Sequence, residues 1–376
     1  MSILIDFIKS CAIGECNTLL ESGYNVNEYI ICNMPSGITT PIIEAILTST
    51  DQICALLLKF GANPNVKHYT GFTPLEFAVR RGLYTKCKIL LENGADANDN
   101  SLYYICSSEG IDKPTTLKIM SVLLEHGANP NGLGPKSEIS CSCLAAAASQ
   151  YYEDDAEEMC MLLLRSGADV NKPGAGNWTA LMKAAYHHHP RLCELFIRLG
   201  ASVHQTNKRN ITPLIAAMLF GKKARDLDHK RYVICNLLLK YGADVNTVDT
   251  SGSTALTEIS AGGDFNTCRL LLENGAYLHF ISGELHYNSF PLHLLVTGGD
   301  IVDDKKYHDT YCLFRQYGAR ITEINLNLLF NGRPYSGMWK HSEYFAKVQK
   351  FIEKDFDETV TFDRRSSLLA LYVADD

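Results

Sequence analysis

The sequence predicts an all-α solenoid of stacked helix-turn-helix repeats, and three observations predict it: a recurring closing phrase, a helix-opening phrase at a fixed distance before it, and one residue type at one register. The closing phrase is an apolar pair followed two residues later by Gly and usually Ala, clearest in LLEHGANPN, LLRSGADVN and LLKYGADVN. Its glycines are Gly23, Gly61, Gly94, Gly127, Gly167, Gly200, Gly242, Gly275 and Gly318, with successive steps of 38, 33, 33, 40, 33, 42, 33 and 43 residues. Four steps equal 33 and the others exceed it, so the longer units carry insertions. Such a unit buries its apolar face only against its neighbours. A chain of 376 residues can then fold without exceeding the roughly 250 to 300 residues at which a single core stops growing.

The openings are Thr40-Pro41-Ile42, Thr73-Pro74-Leu75, Thr179-Ala180-Leu181, Thr212-Pro213-Leu214 and Thr254-Ala255-Leu256. Thr offers a side-chain oxygen to the orphan amides of a helix start, and Pro at the first helical position gives up an amide that had no partner. Gly after the second helix suits a left-handed C-terminal cap. The turn-rich segment beyond it, as in ADVNTVDTSGS, is expected to form a finger-like β-hairpin.

Seven residues before the closing glycines stand Cys16, Cys54, Cys87, Met120, Cys160, Cys193, Cys235, Cys268 and Tyr311. This position lies on the apolar stripe of the second helix, four residues before the second member of the closing pair. Neighbouring repeats stand roughly 8 to 10 Å apart, too far for disulfide Cα atoms, which must approach within about 7 Å. Zinc would need its sulfurs at about 2.3 Å from one ion. The column therefore reads as a buried ladder of free thiols, suited to a reducing compartment.

Period, opening, closing and an Asn four residues after the Gly (Asn27, Asn65, Asn98, Asn131, Asn171 and Asn246) together resemble the ankyrin-repeat family. His204 and His279 replace that Asn in two units. The resemblance covers residues 1–320 as about nine repeats, the first and last atypical, and leaves 321–376 as a helical cap, with Ser342 to Lys354 as its helix, and a tail. It implies a non-catalytic interaction scaffold that binds a protein partner through hairpin tips and a concave groove of first helices. At those positions stand Tyr69, Phe72, Trp178, Tyr186, Lys208 and Arg209, including the aromatic and Arg types that dominate interfaces. The chain also resembles the ankyrin portion of Cys-rich SOCS-box proteins and of viral ankyrin proteins. That likeness implies two alternatives, a ubiquitin-ligase adaptor with ligase components as partners, or a host-targeted effector. Ser366 to Tyr372 vaguely resembles the start of a SOCS box but lacks its Leu-Cys-Arg core. The family resemblance further implies asparaginyl hydroxylation at Asn171 and Asn246, each in an Asp-Val-Asn with Leu163 or Leu238 eight residues before.

Insertions fall between the two helices of a repeat. Repeat four carries the acidic Tyr151 to Glu158, repeat six the basic Gly221 to Asp226 and His229-Lys230-Arg231, and repeat three a lengthened turn from Glu109 to Pro114. Acidic residues at the start of a second helix would complement its dipole. His187-His188-His189 is not expected to chelate, because adjacent residues point apart and His189 occupies the family's inter-helix His position. Cys141-Ser142-Cys143 lacks a second pair and reads as a helix start. No phosphate loop, nucleophile elbow or His-Glu-x-x-His is present, so no enzyme, metal or cofactor is expected. The net charge of −7 offers no general attraction to nucleic acid. No apolar run approaches the roughly 18 residues of a membrane span, so no membrane partner is expected. The start MSILIDFIKSCAIGEC has neither a basic leader nor a cleavage site. A cytoplasmic protein is expected, with the nucleus also open to it.

Overall fold

The computed structural model describes residues 3–31, 38–48, 50–135, 141–174, 176–219, 227–278, 291–298 and 305–319. Their helices come in pairs: α1 (Ile3–Lys9) with α2 (Ile13–Glu21), α3 (Pro41–Thr48) with α4 (Asp51–Lys59), α5 (Pro74–Arg80) with α6 (Tyr84–Glu92), α7 (Ser101–Cys106) with α8 (Lys113–Glu125), and α9 (Cys143–Ala147) with α10 (Glu153–Arg165). Then follow α11 (Ala180–Tyr186) with α12 (Pro190–Arg198), α13 (Pro213–Met218) with α14 (Leu227–Lys240), α15 (Ala255–Ser260) with α16 (Phe265–Glu273), and α17 (Pro291–Gly298) with α18 (Lys305–Gln316). Two compact units result, Met1–Asp244 and Val245–Asp376. In the first, α1, α3, α5, α7, α9, α11 and α13 pack in succession as one layer, and α2, α4, α6, α8, α10, α12 and α14 as another. In the second, α15 packs on α17 and α16 on α18.

The local chemistry explains the helix ends. All nine closing glycines have φ between +84° and +91°, the left-handed region where a side chain is strained. A Cβ at any of them would meet nothing within 4 Å, so conformation and not space demands Gly. At the openings Thr73, Thr179, Thr212 and Thr254 accept from the N–H three residues on, and Thr73 and Glu76 complete a capping box. Ser142 caps α9 in the same way, as the Cys-Ser-Cys reading requires. Thr40 departs from the pattern: its Oγ1 is buried without a hydrogen-bond partner among the described residues.

The thiol column is buried as expected. Cys16, Cys54, Cys87, Cys160, Cys193, Cys235 and Cys268 are inaccessible, Met120 and Tyr311 continue the stripe, and none of these cysteines is in a disulfide. Burial pushes the thiols of Cys54 and Cys87 up to about 12.

Two expectations are corrected. The fingers were expected as β-hairpins, yet among the described residues strand pairing is confined to β1 (Ile30–Ile31) with β2 (Ile38–Thr39) and a single antiparallel bridge between Leu133 and Ser142. Four other fingers close as tight turns in which one residue donates to the carbonyl four on and accepts from the N–H three on. Residues His68, Gly174, Asn207 and Asp249 do this, and the loop is too short to propagate strands. The insertions, expected as turns, are wound in part into the second helices, while in repeat three the lengthened turn also remains, with Glu109 to Asp112 outside α7 and α8. Helices α8 and α10 have 13 residues and α14 has 14, against nine in α4, α6, α12 and α16. An added first turn satisfies its own backbone amides and carbonyls, which an open loop leaves to solvent. Gly221 to Asp226, His279 and everything after 319, with the expected cap helix and the Ser366–Tyr372 tail, lie outside the described residues.

Candidate protein-recognition face

The inter-helix edge of Met1–Asp244 is occupied by its own stitching. Arg191 reaches Glu153, Asp154 and Glu157, and Lys113 bridges Asp155 at 3.4 Å and Glu158 at 2.7 Å. The acidic segment of repeat four thus ties α10 to both neighbouring second helices. Arg231, read from sequence as part of a basic surface, is buried and pairs with Asp228 at 3.2 Å.

The triple histidine is part of the same stitching. His188 Nε2 lies 3.1 Å from the Ala217 carbonyl and His189 Nε2 lies 2.8 Å from the Gln150 carbonyl, on opposite neighbours. Both contacts require the Nε2–H tautomer. Burial first, then the nearby Arg231 charge, pulls His188 down to about 4. Among the described residues no group of three His, Cys, Asp or Glu is placed to hold a metal ion.

The opposite, first-helix face carries a file of rings. Tyr69 packs on His68 with centroids 4.1 Å apart, His68 on Phe77 at 5.2 Å, Phe77 on Phe72 at 5.6 Å, Phe72 on Tyr104 at 5.8 Å and Tyr104 on Tyr103 at 6.1 Å. Arg80 lies over Phe72 at 4.7 Å and over Tyr104 at 5.0 Å. Burial, then the neighbouring Cys141, raises the Tyr103 hydroxyl pKa to about 12. Lys183 lies 4.7 Å over the Trp178 ring, and Trp178 packs edge-on against Tyr186 at 5.9 Å. Cation–π contacts of this kind contribute on the order of 0.5 to 2 kcal/mol each, enough to hold the flexible Arg and Lys stems against the rings.

Four of the six sequence candidates, Tyr69, Phe72, Trp178 and Tyr186, therefore share one face. Tyr69 is exposed, while Phe72, Trp178 and Tyr186 are half-buried. Lys208 and Arg209 are exposed on the next finger, where the Lys208 N–H donates to the Gly176 carbonyl at 3.2 Å. The sequence reading missed Phe77, Arg80, Tyr103, Tyr104 and Lys183. A signal existed: Phe77 and Lys183 stand four residues after the capping Thr73 and Thr179, and Arg80 and Tyr186 seven after. Positions i+4 and i+7 stack along one side of a helix.

Asn171 and Asn246, the hydroxylation candidates, hold structural positions. Asn246 Nδ2 donates to the Gly275 carbonyl at 2.9 Å while its Oδ1 accepts from the Tyr277 N–H at 2.9 Å. Asn27, Asn65, Asn131 and Asn171 make the same two bonds to the repeat after their own.

Paired helices closed by left-handed glycines, capped by threonines and clasped through their loops define a helical-repeat protein. The chain belongs to the ankyrin-repeat family: the family model for ankyrin repeats in three copies matches residues 9–101, 143–249 and 181–281, more than half of its length. It is similar to the ankyrin repeat protein FPV014 of fowlpox virus (30% identical over 128 residues, 32% of this chain and 28% of the other). It is also similar to the ankyrin repeat and KH domain-containing protein mask-1 of Caenorhabditis elegans (25% over 295 residues, 77% and 10%) and the E3 ubiquitin-protein ligase KEG of Arabidopsis thaliana (27% over 207 residues, 53% and 12%). The chain spans less than a third of the length of these relatives. The ankyrin repeat domain of Bcl-3, of the IκB protein family, shares the fold with a TM-score of 0.50 at 22% identity, over 64% of this chain and 98% of that one. Among the described residues no helix is long and apolar enough to cross a membrane.

Proposed function

We propose that the chain is a non-catalytic scaffold that captures a protein partner on the first-helix face of Met1–Asp244. The observation that carries this reading is a pair of ring groups on that face, Tyr69 to Tyr103 with Arg80 over it and Trp178 with Tyr186 under Lys183. At the position of Phe77 and Lys183 core packing does not need a large group: the equivalent residues on α9 and α13, Ala146 and Ala216, are small and buried. Pre-ordered aromatics lose little side-chain freedom on binding, which is why such residues dominate interface energetics. The inter-helix edge is the weaker candidate, since its charges are already paired with one another.

Substituting Tyr69 and Trp178 by Ala together tests the proposal. Capture of partners from lysate, read by mass spectrometry, is expected to fall by more than about tenfold, because an interface anchor contributes on the order of 2 kcal/mol or more. The melting temperature should stay within a few degrees of the parent. Undiminished capture would place the site elsewhere. The same capture experiment addresses the ubiquitin-ligase adaptor: elongin or cullin subunits among the captured proteins would support it, and their absence would oppose it.

A further inference from the structure

We propose that the partner segment this face selects is an extended acidic peptide, roughly ten to twelve residues long, with one large apolar side chain seated between Tyr29 and Tyr69. The inference rests on the scaffold reading above and specifies its ligand.

Charge carries the argument. The chain is acidic overall, at −7, yet this face is cationic. Lys67, Arg80 and Lys208 are exposed on it and Lys183 is half-exposed. Among the described residues the carboxylates of these first helices and fingers are already engaged. Glu44 pairs with Lys9 at 3.4 Å, Glu76 holds the Thr73 N–H and the Asn100 amide, and Asp99 accepts from Thr73 Oγ1 and the Ser101 N–H. Finger residues 66–72, 172–178 and 205–211 contain no Asp or Glu. Four cations against the Glu76 and Asp99 carboxylates leave the face net positive, so carboxylates are its complementary ligand, while the rings cover the peptide's apolar groups.

Length follows from the stacking. From α3 to α11, which carries Lys183, there are four inter-helix steps of roughly 8 to 10 Å, and an extended chain covers about 3.3 Å per residue, which gives roughly ten to twelve residues.

The anchor has a place. At the α3 end of the face, Tyr29, Thr39, Thr40, Ile43, Lys67 and Tyr69 line a depression of about 260 Å³. The unpartnered, buried Thr40 Oγ1 belongs to its wall. The depression is half-open, with both tyrosines more than half exposed at its rim. That volume suits a single Leu or aromatic side chain, and the Thr40 hydroxyl is left to bond the peptide backbone beside it.

Panning a random twelve-residue peptide library on phage against the full chain tests this. Enrichment of net-negative sequences with one Leu or aromatic residue toward one end is expected. A fluorescein-labelled representative should bind more tightly at low than at physiological ionic strength. Arg80→Glu with Lys183→Glu should weaken it at least about tenfold, as should the milder Arg80→Gln with Lys183→Gln, while Lys88→Glu on the outer face should not. Tyr29→Ala should erase the apolar preference and keep the acidic one. Neutral or basic peptides whose binding Trp178→Ala removes would overturn the acidic ligand and leave the scaffold reading intact. Enrichment of no peptide that depends on Trp178 would overturn both. Tighter binding of a twelve-residue oligothymidylate than of the acidic peptide would overturn the proposal in favour of single-stranded nucleic acid.

Discussion

Asn171 donates through Nδ2 to the Gly200 carbonyl at 2.9 Å and accepts at Oδ1 from the Ser202 N–H at 2.9 Å. One side chain thereby satisfies two backbone groups of the next repeat, and Asn27, Asn65 and Asn131 do so elsewhere in the unit. Asn171→Ala leaves both groups to solvent and should lower stability in urea by about 1 to 3 kcal/mol. His204 holds this register with only its own N–H engaged, by Ser202 Oγ at 3.3 Å. His204→Asn is expected to raise stability by about 1 kcal/mol. A neutral or destabilising result would show that the clasp is not transferable along the stack.

The clasp also bears on hydroxylation. An asparaginyl hydroxylase must draw Asn171 out of two hydrogen bonds, so a synthetic peptide around Asn171 should be hydroxylated faster than the folded chain, read by mass spectrometry. Equal rates in peptide and folded protein would oppose this.

Acid should loosen the stack at His188. Its folded pKa, about 4, lies below the ordinary 6.5, so the unfolded state binds the proton more readily. The stabilising contribution is full above pH 6.5 and is lost as pH falls toward 4, by on the order of 2 kcal/mol at pH 5. His188 has φ +58°, a conformation Asn tolerates. In His188→Asn the urea midpoint should vary less between pH 7 and pH 5 than in the parent. An identical slope would assign the acid sensitivity to other groups.

Thiol labelling separates the column from the surface. Cys11 is exposed and Cys312 partly so, whereas the ladder cysteines are buried. A water-soluble thiol reagent followed by peptide mapping should mark Cys11 in seconds to minutes, and the ladder only when urea opens the repeats. Rapid native labelling of Cys87 or Cys193 would refute the ladder. Cys193→Ser should destabilise by about 1 to 3 kcal/mol, as an unpaired buried hydroxyl does.

Two glycines of the second unit should respond differently to Ala. Gly275 has φ +85° in open space, so Gly275→Ala carries only conformational strain of about 1 kcal/mol. Gly263 has φ +62°, and an added Cβ would stand 2.9 Å from Tyr307 Cδ1. Gly263→Ala should therefore cost more in thermal unfolding, and Gly263→Ala with Tyr307→Ala should recover part of the difference.

What the sequence by itself determined was everything that repeats. Helix caps, left-handed glycines, the cysteine stripe and the clasp asparagines are local or nearest-neighbour features, and each recurs with the period because each repeat faces the same neighbour. The register that separated His187, His188 and His189 was legible for the same reason. The tertiary structure alone decided which non-repeating residues meet. Arg191 and Lys113 neutralise an acidic segment 34 to 45 residues away in sequence. Arg80 sits between rings of two repeats, and Lys183 lies over Trp178, which packs on Tyr186. Those contacts depend on side-chain reach between stacked helices, a distance that neither period nor propensity encodes. The regular positions fix the stack, and the stack then gathers the irregular ones into a face.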